Sequence, residues 1–326
     1  MKSNLIRNVF RALMLAAALV GATASMAQDA YPNKPIKLVL PFPPGGGIDT
    51  VGRAIAERLS RALGQPVIVE NKPGAQGTIG VEAVSHAAPD GYTVLVSALG
   101  AITVIPQVQK VNYDPLNDLT PVTQAASGPL VLVAKADLKA NSIPELIQMD
   151  REGVKLSAGT SGTGSPNHMA LELFNQMAGT KINHIPYKGE GPAITDLVGG
   201  QTDLAITTLV AAAAQIKAKR IKVIAACGEK PPLAMPNLPT IAQQGLPGYD
   251  MGSWQGVFVP AGTPKAIVAR LEKELVKILN SAEMRSYLLD RGAESVGSSA
   301  EEFGAYVRRE FAKYGRLARS INLKFE

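Results

Sequence analysis

Two stretches of this chain combine the residue types and the spacing of an anion site. Pro43-Pro44-Gly45-Gly46-Gly47-Ile48-Asp49 and Gly159-Thr160-Ser161-Gly162-Thr163-Gly164-Ser165 each follow an apolar run, are rich in glycine, and lead into a segment with helical periodicity. The first turn of a helix leaves backbone N–H groups without intrahelical partners, and its dipole favours negative charge there. Glycine lets a ligand oxygen approach that backbone closely. Ser161, Thr163 and Ser165 add hydroxyls able to donate to the same oxygens. The same glycines would equally serve tight turns that hold nothing.

Other chemistries find less support. A phosphate-binding loop needs Gly-Lys before Ser or Thr, and the chain has no Gly-Lys dipeptide. Gly45, Gly47 and Thr50 fall on the three positions of the dinucleotide pattern, so its third glycine is missing. Gly74, Gly77 and Gly80 do not match it either. His86, His168 and His184 lack metal-ligand spacing, and there is no Gly-x-Ser-x-Gly elbow, so neither a metal nor a cofactor is expected. His168 is as compatible with touching a ligand as with packing in the interior. Asp49 would stabilise a helix's first turn with or without a ligand, and Asp203 sits where turn residues are common. Trp254, the single tryptophan, suits the core or a cleft wall, with the core the default. The lone Cys227, in an apolar run, reads as a small buried thiol. Aromatic residues make up only 5% of the chain and the basic ones do not cluster, which gives a nucleic-acid surface little support, and no nucleic-acid partner is expected.

The elements that must carry these loops alternate. A buried strand over 36–42 precedes a helix whose apolar positions Ile48, Val51, Ile55, Leu59 and Leu63 recur every three or four residues before Gly64 ends it. A strand over 67–70, a short helix through Ala87 and a strand over 92–97 continue the pattern. After an irregular stretch over 112–121 the series restarts at Leu130. A Ser142-capped helix follows, then strands over 154–158, 182–187, 202–206 and 221–227 with helices between them. The Pro-rich 229–252 reads as a return connection, and Ser299 with Glu302 three residues on announces a long final helix. Such alternation implies an α/β fold with mostly parallel sheets flanked by helices. At 326 residues, 46% hydrophobic and 18% charged, the chain can build two cores. The expected division is one lobe of 28–127 with 251–326, and a second lobe of 128–250.

Half of the net charge of +6 comes from Lys2, Arg7 and Arg11, in a leader without acidic residues. That leader has an apolar stretch over 12–20 and small residues before Ala27, which predicts a signal peptide (1–27) cleaved after Ala27 and export to the periplasm. Nine apolar residues cover roughly half of a ~30 Å hydrocarbon core, too little for a permanent span.

Several blocks in one order resemble the extracytoplasmic solute receptors of the tripartite tricarboxylate transporter system, the Bug receptors. They include Tyr31-Pro32-Asn33-Lys34-Pro35-Ile36, the Pro43 to Asp49 loop, Val69-Glu70-Asn71-Lys72-Pro73-Gly74-Ala75-Gln76-Gly77, Ile185-Pro186-Tyr187-Lys188-Gly189, the run Asp196 to Asp203, and Trp254-Gln255-Gly256 with Pro260-Ala261-Gly262-Thr263-Pro264. The resemblance implies a two-lobed periplasmic binding protein of type II-like fold with its ligand cleft between the lobes. It implies a monomer that binds a small carboxylate (a di- or tricarboxylate, an aromatic acid or an acidic amino acid) and delivers it to membrane permease subunits, without catalysis. Carried over by position, it assigns Phe42, Pro44, Gly46, Gly47 and Asp49 to one side of the ligand and Ser161, Gly162 and Ser165 to the other, with Gln76, Ser97, Ala98, His168 and Asp203 as further members. Ala98-Leu99-Gly100-Ala101 departs from the commoner polar pattern of the family, leaving the distal end of the pocket open. Two other readings remain at this level: an exported hydrolase using Ser161 or Ser165 with His168, and a sensing module whose loaded form docks on a signalling partner.

Overall fold

The computed structural model describes residues 31–320; the leader and its cleavage after Ala27 lie outside the described residues. Strand β1 (Ile36–Leu40) runs into the first glycine turn, which opens α1 (Gly47–Leu63). Ile48, Val51, Ile55 and Leu59 are buried as their spacing requires, and Gly64 ends the helix at φ +67°. The chain continues through β2 (Val67–Asn71), α2 (Thr78–Ser85) and β3 (Thr93–Ala98), then a wide helical turn at Gly100–Val104 leading into α3 (Ile105–Val108). Strands β4 (Leu119–Gly128) and β5 (Leu130–Lys135) follow, then α4 (Ile143–Arg151), β6 (Ser157–Thr160), α5 (Pro166–Ala178), β7 (Asn183–Pro186), α6 (Glu190–Val198), β8 (Leu204–Thr208), α7 (Leu209–Lys217) and β9 (Ile221–Ala226). The last elements are β10 (Ser253–Pro260), α8 (Lys265–Leu279), α9 (Ala282–Leu289), β11 (Glu294–Ser295) and α10 (Ala300–Ser320). The capping box forms as its spacing predicts: Ser299 N–H donates to Glu302 at 2.9 Å, and Glu302 N–H to Ser299 Oγ at 3.2 Å.

Two sheets result, with strand orders β11-β4-β10-β3-β1-β2 and β7-β6-β8-β5-β9. The fold is α/β and two-lobed, but the sheets are mixed where mostly parallel ones were expected. Among the strands of the described residues, only β1 with β2 and β3, and β6 with β7 and β8, pair in parallel. The cause is the interlobe traffic. β4 and β5 carry the chain out of the first sheet and into the second, β10 brings it back, and these strands pair antiparallel with their neighbours.

Strand β4 occupies a stretch whose first residues read as irregular, because TPVTQAASG is polar and contains a proline. Its pairing with β10 skips Val122 between Thr123 and Pro121, so the proline falls at a register irregularity, where a missing N–H is tolerated. One face of the first sheet packs Ile55, Leu59, Leu271 and Leu275 of α1 and α8. The other packs Trp254, Phe258, Phe303 and Tyr314 in a core that continues into the second lobe through Leu132, Met169 and Phe174. Trp254 is 1% exposed and meets Phe303 edge-on at 5.5 Å, so it belongs to the core.

Candidate functional site

The first glycine turn is held from inside. Asp49, 6% exposed, accepts from Gly45 N–H at 3.0 Å, from Arg53 Nε at 2.9 Å and from Asn71 Nδ2 at 3.0 Å. Asn71 Nδ2 also donates to Phe42 O at 3.0 Å, and its Oδ1 accepts from Arg53 at 3.0 Å. Burial alone would raise the Asp49 pKa, but the donors from Arg53, the Gly45 amide and Asn71 outweigh it and keep it below the ordinary carboxylate value. Asp49 is thereby committed to shaping the turn, and its carboxylate has little capacity left for a ligand. Gly45 takes φ +88°, open only to glycine at low cost. Gly46 is the N-cap residue of α1 and supplies no side-chain cap, so first-turn amides remain available to an outside acceptor.

Around this turn the first lobe gathers most of the expected residues. Pro44 and Gly46 are exposed on it. The Phe42 ring lies 3.0 Å from where a Cβ on Gly77 would stand, which is why that position carries glycine. Gln76 is exposed, in left-handed backbone at φ +57°. Ala98 pairs with Gln255 and Ser97 with Gly256 across β3 and β10. The pleat sends Ala98 and Gln255 to the α1 face and Ser97 to the other, so Ser97 and Ala98 do not share one wall. Ser97 Oγ is buried without a hydrogen-bond partner among the described residues. Gln255 is a residue to which the sequence assigns no role. Its Oε1 is buried and equally unpartnered, and its Nε2 lies 3.5 Å from a Cβ built on Gly47. Gln255 is thus an orphaned polar group beside the first glycine turn, and such groups call for a partner from outside.

The second-lobe loop is likewise braced. Gly162 takes φ +123° and Gly164 φ +74°. Ser165 caps α5, its Oγ accepting from His168 N–H at 3.2 Å. Ser161 Oγ donates to Asn167 Oδ1 at 3.0 Å. His168 accepts from Gly164 N–H on Nδ1 at 3.0 Å, its Nε2 faces Glu172 at 3.4 Å, and its ring stacks on His184 at 3.8 Å. His184 bonds Thr160 Oγ1 at 2.6 Å, and burial, with the neighbouring His168, lowers its pKa to about 4.

This bracing disposes of the hydrolase geometry. A serine nucleophile needs a base on its hydroxyl. The His168 ring is oriented by Glu172 but bonds a backbone amide, and Ser161 and Ser165 are engaged with Asn167 and the His168 backbone. His168 shapes the loop.

Asp203 is not brought to either loop. It pairs with Lys135 Nζ at 2.8 Å and accepts from Ser157 N–H at 2.9 Å and Ser157 Oγ at 3.1 Å, at the starts of β8 and β6, whereas the loop leaves from the end of β6. A carboxylate before a strand resembles a cleft residue in sequence; strand direction puts this one at the opposite edge.

The lobes touch beside the two loops. A Cβ on Gly100, just past β3, would stand 3.5 Å from Cδ of Pro166, the first residue of α5. Elsewhere, a Cβ on Gly292 would come within 2.9 Å of Val210 N. Cavities of about 350 Å³ (lined by Val210, Lys217 and Arg291 among others) and about 280 Å³ (beneath the crossings, by Ser127, Met251 and Glu310 among others) have no glycine-loop residue in their walls.

A family model described as "Tripartite tricarboxylate transporter family receptor" matches residues 51–323. The structure of R. palustris Rpa4515 with adipate superposes with a TM-score of 0.84 at 34% identity, covering 90% of this chain and 99% of that one. The periplasmic binding protein BugD gives 0.81 at 32%, covering 91% and 100%. MatC from Rhodopseudomonas palustris with bound malate gives 0.79 at 30%, covering 88% and 99%. With its two-lobed periplasmic binding protein fold and its braced, base-free loops, the chain belongs to the tripartite tricarboxylate transporter receptor family, whose members bind solutes and are not enzymes.

Proposed function

We propose that this protein binds a small carboxylate between its two glycine loops in the periplasm and delivers it to the permease subunits of a tripartite tricarboxylate-type transporter. The observation that carries the reading is the uncapped first turn of α1, beside which stand the Gln255 amide, its Nε2 near Gly47, and the second-lobe loop reached through Gly100 and Pro166. The relatives solved with adipate and with malate support it. Phe42, Pro44, Gly46, Gly47, Ala98 and Gln255 would contact the ligand from the first lobe, Ser161, Gly162 and Ser165 from the second, with Gln76 and Ser97 at the margin. Asp49 and His168 would act through the loops they hold. The moving bodies would be 28–127 with 251–326 against 128–250, in a monomer released from its leader after Ala27.

Neutral donors contribute roughly 0.5–1.5 kcal/mol each, so several together bind an anion that must later be released. The test is a thermal-shift and calorimetric screen of the mature protein against a carboxylate panel, since a ligand selective for the native state raises its melting temperature. A shift with at least one acid is expected; a shift with sugars or cations and none with acids overturns the reading. Mass spectrometry of the secreted chain checks the cleavage site.

A further inference from the structure

Glu190, the first residue of α6, has its carboxylate surrounded by donors from elsewhere in the second lobe. Its Oε1 accepts from Asn167 Nδ2 at 2.9 Å, Thr207 Oγ1 at 3.2 Å and Thr208 N–H at 2.6 Å, and its Oε2 from Thr208 Oγ1 at 2.7 Å. Thr207 and Thr208 end β8, and Thr208 caps α7. Asn167 lies in the first turn of α5, and its Oδ1 accepts from Ser161 of the glycine loop at 3.0 Å. This group therefore sits at the carboxyl ends of β6 and β8, where ligands lodge in open α/β sheets. It also lies by the crossing between the sheets: Thr208 Cγ2 is 3.8 Å from a Cβ built on Gly128, the last residue of β4.

A backbone N–H at a helix start, two hydroxyls and a side-chain amide form the donor set that would hold a solute's carboxylate. Here the chain fills that cradle with a carboxylate of its own. Resting on the carboxylate reading above, we propose that Glu190 occupies the second lobe's anion cradle and restricts the receptor to solutes with a single carboxylate, bound at the α1 turn, whose other end is uncharged or cationic. A second solute carboxylate entering the closed cleft would meet a fixed negative charge whose donors are already spent, and like charges brought together in a desolvated site repel strongly. A solute ammonium or hydroxyl would meet an acceptor instead.

The experiment is calorimetry on the mature protein with acids matched in length and differing in one terminal group: butyrate with succinate, hexanoate with adipate and 6-aminohexanoate, benzoate with terephthalate. Wild type is expected to prefer the monoacid or amino acid over its diacid by about tenfold or more. Glu190→Gln, nearly isosteric, should bring the paired affinities together, and Glu190→Ala, which empties the cradle, should favour the diacid. Wild-type binding of a diacid as tight as its monoacid overturns the proposal, as does an unchanged ratio in a folded Glu190→Gln or Glu190→Ala. Should neither variant fold, the wild-type ratio alone decides. No binding of any acid by wild type would overturn the carboxylate reading and this proposal together, whereas acids bound without the preference overturn this one alone.

Discussion

Pro166 of the second lobe rests against Gly100 of the first, with Pro166 Cδ 3.5 Å from where a Cβ on Gly100 would be. That is ordinary van der Waals spacing, so alanine fits but a branched side chain would prop the lobes apart. Gly100→Leu is expected to weaken ligand binding by about tenfold or more, with the unliganded melting temperature moving by less than about 3 °C. Small-angle scattering should show that ligand no longer compacts it. Unchanged affinity would mean that closure does not pass through this contact.

Gly46 offers a sharper probe of the α1 turn. Its backbone is extended (φ −84°, ψ 176°), a conformation open to any residue, and a Cβ there meets nothing nearer than Pro43 O at 4.0 Å. Gly46→Val should therefore fold normally while placing methyl groups in front of the free amides. Loss of the ligand-induced melting shift with an unchanged unliganded transition is the expected result; retained affinity would count against the turn as the anion site.

The Asp49 brace sets a pH dependence. Its folded pKa is depressed, so its contribution to stability is present above the unfolded value, near 4, and is lost as pH falls through the lower folded value. Asp49→Asn should cost about 1–3 kcal/mol at neutral pH, since hydrogen bonds to a charged group are lost. That cost should shrink below about pH 4, where wild type loses the same contribution. Urea denaturation of both proteins at the two pH values measures it. A cost independent of pH would show that the ionised carboxylate is not what holds the turn.

Asp203 supplies the contrast. Its pKa is also depressed: burial would raise it, but Lys135 and Ser157 outweigh that. Asp203→Asn is expected to lower the melting temperature and leave ligand affinity within about twofold of wild type, because it lies at the far ends of β6 and β8. A selective loss of affinity would return it to the site.

Cys227 is fully buried, and burial pushes its thiol up to about 12. Maleimide or iodoacetamide should label it only on the timescale of unfolding, and urea should accelerate the labelling. Rapid labelling of the native protein would contradict the packing.

Local signals were legible along the chain because they are written within a few residues. The apolar spacing of α1, its Gly64 stop, the Ser299–Glu302 capping box and the glycine turns all formed where residue type and period required. The family blocks likewise follow from order and composition. Long-range decisions were not legible. Whether strands pair parallel depends on which of them cross between lobes, and β4 is held by β10, more than a hundred residues later, across a register irregularity. Sequence position places Asp203 beside the site-forming run, yet strand direction removes it to the opposite edge. The donors that enclose Glu190 come from segments at 167 and 207–208, and Gln255 reaches Gly47 only because β10 returns to lie beside β3. The residues alone thus determined that two amide-rich turns would exist; tertiary structure decided what stands beside them, because hydrogen-bond partners are chosen by proximity in space and the chain's long returns set that proximity.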